Sequence, residues 1–245
     1  MILLMTLRYV HQIARNNSFF MNYDWLLTQV FAILFRLIPT IIGLWFWNRY
    51  TKGEKAFIIL LGYDAIGSII GAFLAYYFQN NVIMHHIYCV VEVGLLSIFY
   101  KEYITSKSAR QIISWFPLVY VLFTLIMIFN FTGIFNVNPS GNAARALFSI
   151  IFGSIVLTQI VTEDENLIHQ GKFWIVTGLL SYYLINIGYQ TMMYWLIKTD
   201  STLTMGLHTL LSYSFYVVNM FYALGLWLIA KERKQKIVTE DIAST

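Results

Sequence analysis

Charge is scarce in this 245-residue chain: Asp, Glu, Lys and Arg together make up 11% of it, against about 25% in a soluble domain. Cysteine occurs once, which excludes an intramolecular disulfide and leaves the redox compartment unread. There are three prolines and no low-complexity tract, so no Pro-rich linker divides the chain. The net charge of +4 comes from cations that flank apolar runs. No Lys/Arg-rich domain stands apart to grip a phosphate backbone, and nucleic acid is excluded as a partner. The motifs HExxH, GxSxG and GxxxxGK[ST] do not occur, and no two histidines lie four apart on one helical run. No metal site and no cofactor is expected. A retinal Schiff base is excluded too, because the last apolar run has no lysine before Lys231.

What the chain has instead is apolar length. Hydrophobic residues make up 58% and aromatic residues 18%, and the mean hydropathy is +0.64. A membrane span needs about 20 mostly apolar residues. Seven runs qualify, at 25–48, 56–78, 83–100, 110–131, 144–162, 173–197 and 204–230. Backbone groups cannot stay unpaired in lipid, so each run is expected to be a helix. The expected fold is therefore an all-α polytopic membrane protein, one seven-transmembrane-helix bundle covering 1–245.

The flanking charges predict its orientation. With the N-terminus outside, the inner segments hold Arg49, Lys52, Lys55, Lys101, Lys107, Arg110, Lys172, Lys231, Arg233, Lys234 and Lys236, and the outer segments only Arg8, Arg15, Arg145 and Lys198. Lys and Arg accumulate on the cytoplasmic side. Residues 1–21 are then an extracytoplasmic segment and 231–245 a short cytoplasmic tail. The segment before Met21 reads either as an interfacial helix, with Leu3, Leu4, Leu7, Val10 and Ile13 on one side, or as upstream of a start at Met21. Short matches suggest an internal repeat: KGEKAFIILLG and QGKFWIVTG each place a Phe five residues before a Gly. Runs one to three and five to seven would form a 3+1+3 parallel repeat, with the uncharged fourth run as linker.

Three charged residues fall inside runs: Arg36, Asp64 and Glu92. Each costs about 2.5–3.5 kcal/mol to insert, so such residues face a bundle interior and mark function. Asp64 lies nine residues from Lys55, and Glu92 nine from Lys101. At about 1.5 Å per residue the two carboxylates share one level, with Arg36 about a turn above. The expectation is one cluster of three charges: one carboxylate paired with Arg36, the other protonated or free to bind a cation or proton.

Helical spacing adds polar stripes: Gln29, Arg36, Thr40 and Gly43; Asp64, Gly67, Ser68 and Gly71; His85, Cys89, Glu92 and Leu96; Tyr182, Asn186, Tyr189, Gln190 and Met193; His208, Ser212, Tyr216, Asn219 and Ala223. Together they line one expected cavity, with Arg36, Asp64, Glu92, Asn186, Gln190, His208, Tyr216 and Asn219 as candidate ligand or ion residues. Polar stripes also serve as interhelical glue. His85 and His86, near the outer edge, read as interfacial residues.

The runs His86-Ile87-Tyr88 with Glu92 and Phe99-Tyr100, and Phe173-Trp174-Ile175 with Gly178 and Tyr182, resemble an uncharacterised bacterial family of seven-span membrane proteins. That resemblance implies the fold and a bacterial inner membrane, and no activity. Three functions remain open. The first is a receptor- or sensor-like protein binding a small molecule or lipid; the second is a small-molecule or proton-coupled transporter; the third is an intramembrane lipid-modifying enzyme. The partners expected are the bilayer, a lipid or small-molecule ligand, and a second membrane protein or another copy of the chain.

Overall fold

A computed structural model describes residues 22–78, 81–163, 166–196 and 201–243. The segment 1–21 lies outside them, as do the side chains of Gln29, Gln190, Met193, His208 and Ser212. Among the described residues there are seven α-helices and no strand. They are α1 (Asn22–Trp45), α2 (Lys52–Phe78), α3 (Val82–Tyr103), α4 (Lys107–Met127), α5 (Pro139–Glu163), α6 (Gly171–Leu196) and α7 (Ser201–Ala243). Each expected apolar run is one helix. Among the described residues, four segments are long and apolar enough to cross a membrane: Val82–Tyr103, Lys107–Thr132, Pro139–Thr162 and Tyr213–Gln235, and Phe31–Trp45 of α1 is a shorter apolar stretch.

Local sequence explains the helix starts. In Thr51-Lys-Gly-Glu54 the Glu54 carboxylate accepts from Thr51 N at 2.8 Å, and Thr51 Oγ1 accepts from Glu54 N at 3.4 Å. This reciprocal capping box opens α2. Ser106 caps α4 through Ala109 N. Asn138 accepts from Gly141 N at 2.9 Å ahead of Pro139, a cap followed by proline in the first turn. At its far end α4 widens into a π turn, Ile128–Thr132, and stops at Gly133, whose φ of 75° suits glycine. The segment after Ala230 is helical: it continues α7 to Ala243, because Lys, Glu, Arg and Gln are good helix formers.

The helices close a ring in chain order, α1 to α7, with α7 packed back on α1; α4 stands outside it against α3 and α5. Beyond its first turn α4 carries no charge, and it exposes Ile112, Trp115, Leu118, Val119, Leu122, Leu125 and Ile126 and buries only Ile113, Tyr120 and Thr124. The tightest crossing is α6 on α7. A Cβ on Gly171 would lie 2.2 Å from the Gly225 carbonyl, and one on Gly178 would lie 2.7 Å from the Tyr222 ring. Glycines there let two backbones touch.

Burial is inverted relative to a soluble domain. Arg36, Glu92 and Arg145 lie inside, while Ile41, Leu44, Ile66, Phe73 and Leu184 point outward. An apolar exterior around a polar centre is the pattern of a membrane protein.

Candidate functional site

Two buried ion pairs occupy the interior, rather than one cluster of three charges. Arg36 on α1 holds Asp64 on α2, Nε to Oδ2 at 3.2 Å, and also donates to the Ser68 hydroxyl. The Arg36 guanidinium lies 5.3 Å from the Phe215 ring centroid on α7. Glu92 on α3 is held separately. One of its oxygens accepts from Arg145 on α5 and the other from the Tyr183 hydroxyl on α6 at 2.5 Å. The Arg145 and Glu92 side chains are 1% and 3% exposed, against 23% for Asp64.

Arg145 corrects the sequence reading in two ways. It is not an outer-segment cation, and Glu92 is not the carboxylate left unpaired. Since α5 begins at Pro139, Arg145 sits almost two turns inside the helix. The stretch NVNPSGNAAR reads as a loop by hydropathy, which hid this. The signal that would have found it is the Asn138-Pro139 helix start.

The two carboxylates nonetheless meet. Asp64 and Glu92 face one cavity of about 40 Å³ between α2, α3, α6 and α7. Tyr88, Tyr182, Tyr183, Tyr222 and Asn219 supply its polar wall, and Phe57, Leu60, Leu61, Leu179, Phe215 and Val218 the rest. A water needs about 10–15 Å³ of such space, so the cavity has room for a few waters or one small solute. Of the candidates, Asp64, Glu92 and Asn219 line it and Arg36 stands behind Asp64. Asn186 is buried elsewhere on α6, and Tyr216 packs on Phe35 with ring centroids 4.7 Å apart. Gln190 and His208 fall outside the described side chains. The tyrosines at 88, 183 and 222 were not anticipated; Tyr88 follows the two histidines and Tyr222 lies one turn past Val218.

Below and above the cavity the polar groups differ. One end collects the cationic segments. Glu54 accepts from Tyr103 and Arg233, each at 2.7 Å, Gly53 N donates to Glu102, and Gly171 N donates to Glu232. Arg233 also donates to the Arg49 carbonyl, Arg49 donates to the Ala230 carbonyl, and the Tyr50 hydroxyl donates to the Leu226 carbonyl at 2.9 Å. Burial first, and then the nearby Glu54 carboxylate, pushes the Tyr50 phenol above its ordinary range, so it stays a donor.

At the opposite end His85 Nε2 meets Asn142 Oδ1 at 3.1 Å, and His86 Nε2 meets the Asn136 carbonyl at 3.1 Å. The Cys89 thiol completes this cluster, donating to Asn142 Oδ1 at 3.6 Å with the His85 ring nitrogens 3.7 and 3.8 Å from its sulfur. Both histidines are buried, in the first turn of α3 against the segment that leads into α5. Among the described residues no group of three His, Cys, Asp or Glu is placed to hold a metal ion.

No protein-family model matches the chain, and no curated protein or solved structure is significantly similar to it.

Proposed function

We propose that the chain is a seven-span integral membrane protein, N-terminus outside and C-terminus cytoplasmic, whose interior cavity exchanges a proton or a small polar solute across the membrane. One observation carries the reading: Asp64 and Glu92 face the same small cavity in unlike environments. Glu92 has both oxygens satisfied and is deeply buried, which suits a fixed charge. Asp64 is 23% exposed and held by a single arginine, which suits the group that exchanges. Two carboxylates set apart by environment divide such roles. The cavity volume favours a proton or small solute over a lipid.

The orientation is supported by the gathering of Arg49, Arg233 and their neighbours at one end of the bundle. The membrane expected from the resemblance is a bacterial inner membrane.

The test is proton uptake into proteoliposomes carrying a pH dye. The wild type is expected to dissipate an imposed gradient, and Asp64→Asn to slow it by about tenfold or more, the effect of losing about 1.4 kcal/mol at the rate-limiting step. Equal rates for wild type, Asp64→Asn and empty liposomes would sink the transport reading.

A receptor-like role is the second reading, favoured by α7. This helix runs unbroken from cavity residues Asn219 and Tyr222 to Ala243, and such a rod can carry a ligand's effect to a partner. Native mass spectrometry in mild detergent separates the two. A stoichiometric small molecule on the wild type, absent from Glu92→Gln and Arg36→Gln, favours the receptor, and a bare protein favours transport. An intramembrane enzyme would instead turn over a lipid in a Glu92-dependent way.

A further inference from the structure

The cationic end of the bundle closes in two layers over the cavity. The first is aromatic. Phe57 on α2, itself a cavity wall, packs tilted on Phe99 of α3 at 5.2 Å and edge-on against Tyr222 of α7 at 5.1 Å between ring centroids. All three are buried. The second layer lies one turn further out. Glu54 precedes Phe57 by three residues, and Tyr103 follows Phe99 by four, which keeps each on the face of its predecessor. Tyr103 and Arg233 both donate to Glu54.

The helices so joined are the ones that line the cavity. Gly53 and Glu102 tie α2 to α3 and Gly171 and Glu232 tie α6 to α7. Arg49 and Tyr50, just before α2, donate to α7 carbonyls, but among the described residues only the Arg233–Glu54 bond joins α7 to α2 by an ion pair. The Gly171–Gly225 crossing brings the α6 and α7 backbones into contact, which suits the pair α6–α7 to act as one unit and α2–α3 as another. Separating these two units at the cationic end parts Phe57 from Tyr222 and opens the cavity.

We propose that Arg233, Glu54 and Tyr103 form a latch that holds an aromatic gate, Phe57, Phe99 and Tyr222, closed on the cationic side of the cavity. This regulates the site argued above and rests on that reading of the cavity. Glu54 has a double duty here, since it also caps α2. The informative variants are accordingly Arg233→Gln and Tyr103→Phe, which leave the capping box whole.

The experiment is labelling of a cavity cysteine. Cys89→Ser removes the native thiol, and Val218→Cys places a new one in the cavity wall. A charged, membrane-impermeant methanethiosulfonate is applied to each side of sealed vesicles in turn, with Lys234→Cys marking the cationic side. With the latch intact, Val218→Cys is expected to react slowly from that side. Adding Arg233→Gln or Tyr103→Phe is expected to raise the rate by about tenfold or more, equivalent to about 1.4 kcal/mol, with no rise from the opposite side. An unchanged rate, an equal rise from both sides, or no labelling in any variant would overturn the latch. The readout needs no transport. A chain that moves no protons yet labels as expected keeps the latch and loses the transport reading.

Discussion

Replacing Arg145 by Gln removes the one cation that binds Glu92 among the described residues and leaves a carboxylate 3% exposed inside the bundle. The Tyr183 hydroxyl still donates to one of its oxygens, but the charge has lost its counter-charge. Breaking a buried pair from one side costs about 3–5 kcal/mol, because the surviving ion is desolvated without compensation. At about 1.4 kcal/mol per factor of ten, the folded-to-unfolded ratio falls by about a hundredfold to several thousandfold. The protein carries its own reporter. Cys89 is the sole cysteine, is buried on α3, and lies three residues from Glu92. A fluorogenic maleimide added to detergent-purified protein during a heating ramp therefore reports when this part of the bundle opens. Arg145→Gln is expected to lower the midpoint sharply. The double variant Arg145→Gln/Glu92→Gln is expected to recover about 2 kcal/mol or more, since both partners are then neutral. An Arg145→Gln protein within about 0.5 kcal/mol of wild type is what an exposed loop arginine would give, and it would refute the buried pair. So would a double variant no more stable than the single one.

Three further outcomes follow from the packing and hydrogen bonds. Tyr183→Phe deletes a hydrogen bond to a charged group and is expected to cost about 1.5–3 kcal/mol in the same thiol assay, less than Arg145→Gln. Gly225→Leu puts a side chain where a Cβ already meets the Gly171 carbonyl at 2.7 Å and Ile175 at 2.6 Å; a loss of about 1–3 kcal/mol or more is expected, whereas Gly94→Ala on α3, with nothing within 4 Å of a Cβ, is expected to be harmless by size-exclusion profile after heating. Leu122→Val and Ile126→Val on the exposed face of α4 are expected to shift stability by less than about 0.5 kcal/mol.

The level of the carboxylates was legible because the cationic flanks measure depth. Lys55 to Asp64 and Glu92 to Lys101 are equal counts, and the two side chains do face one cavity. The helices themselves were legible from apolar length, and the exposed apolar face of α4 from the uncharged stretch after Arg110. Arg145 was not, since a helix that begins with Asn, Pro, Ser and Gly looks like a loop until its cap is noticed. Nor was the role of Glu54. Its capping box is local and readable in Thr51-Lys-Gly-Glu54, but its bonds to Tyr103 and Arg233 depend on helices that meet only after folding. The partners of the histidines were hidden for a related reason: Asn136 and Asn142 belong to a segment about fifty residues downstream. The extended α7 was missed because hydropathy stops at Ala230 while helix propensity does not.

We propose that the two cavity carboxylates divide their roles, Asp64 as the group that exchanges and Glu92 as the one fixed by Arg145 and Tyr183. Infrared difference spectroscopy of the protein in liposomes, taken between neutral and acidic buffer, tests this most directly through the carbonyl stretch of a protonated carboxylic acid. The account predicts a buried-carboxyl band that appears on acidification, vanishes in Asp64→Asn and survives in a folded Tyr183→Phe protein. A band untouched by Asp64→Asn, or no band from the bundle interior at all, would contradict it.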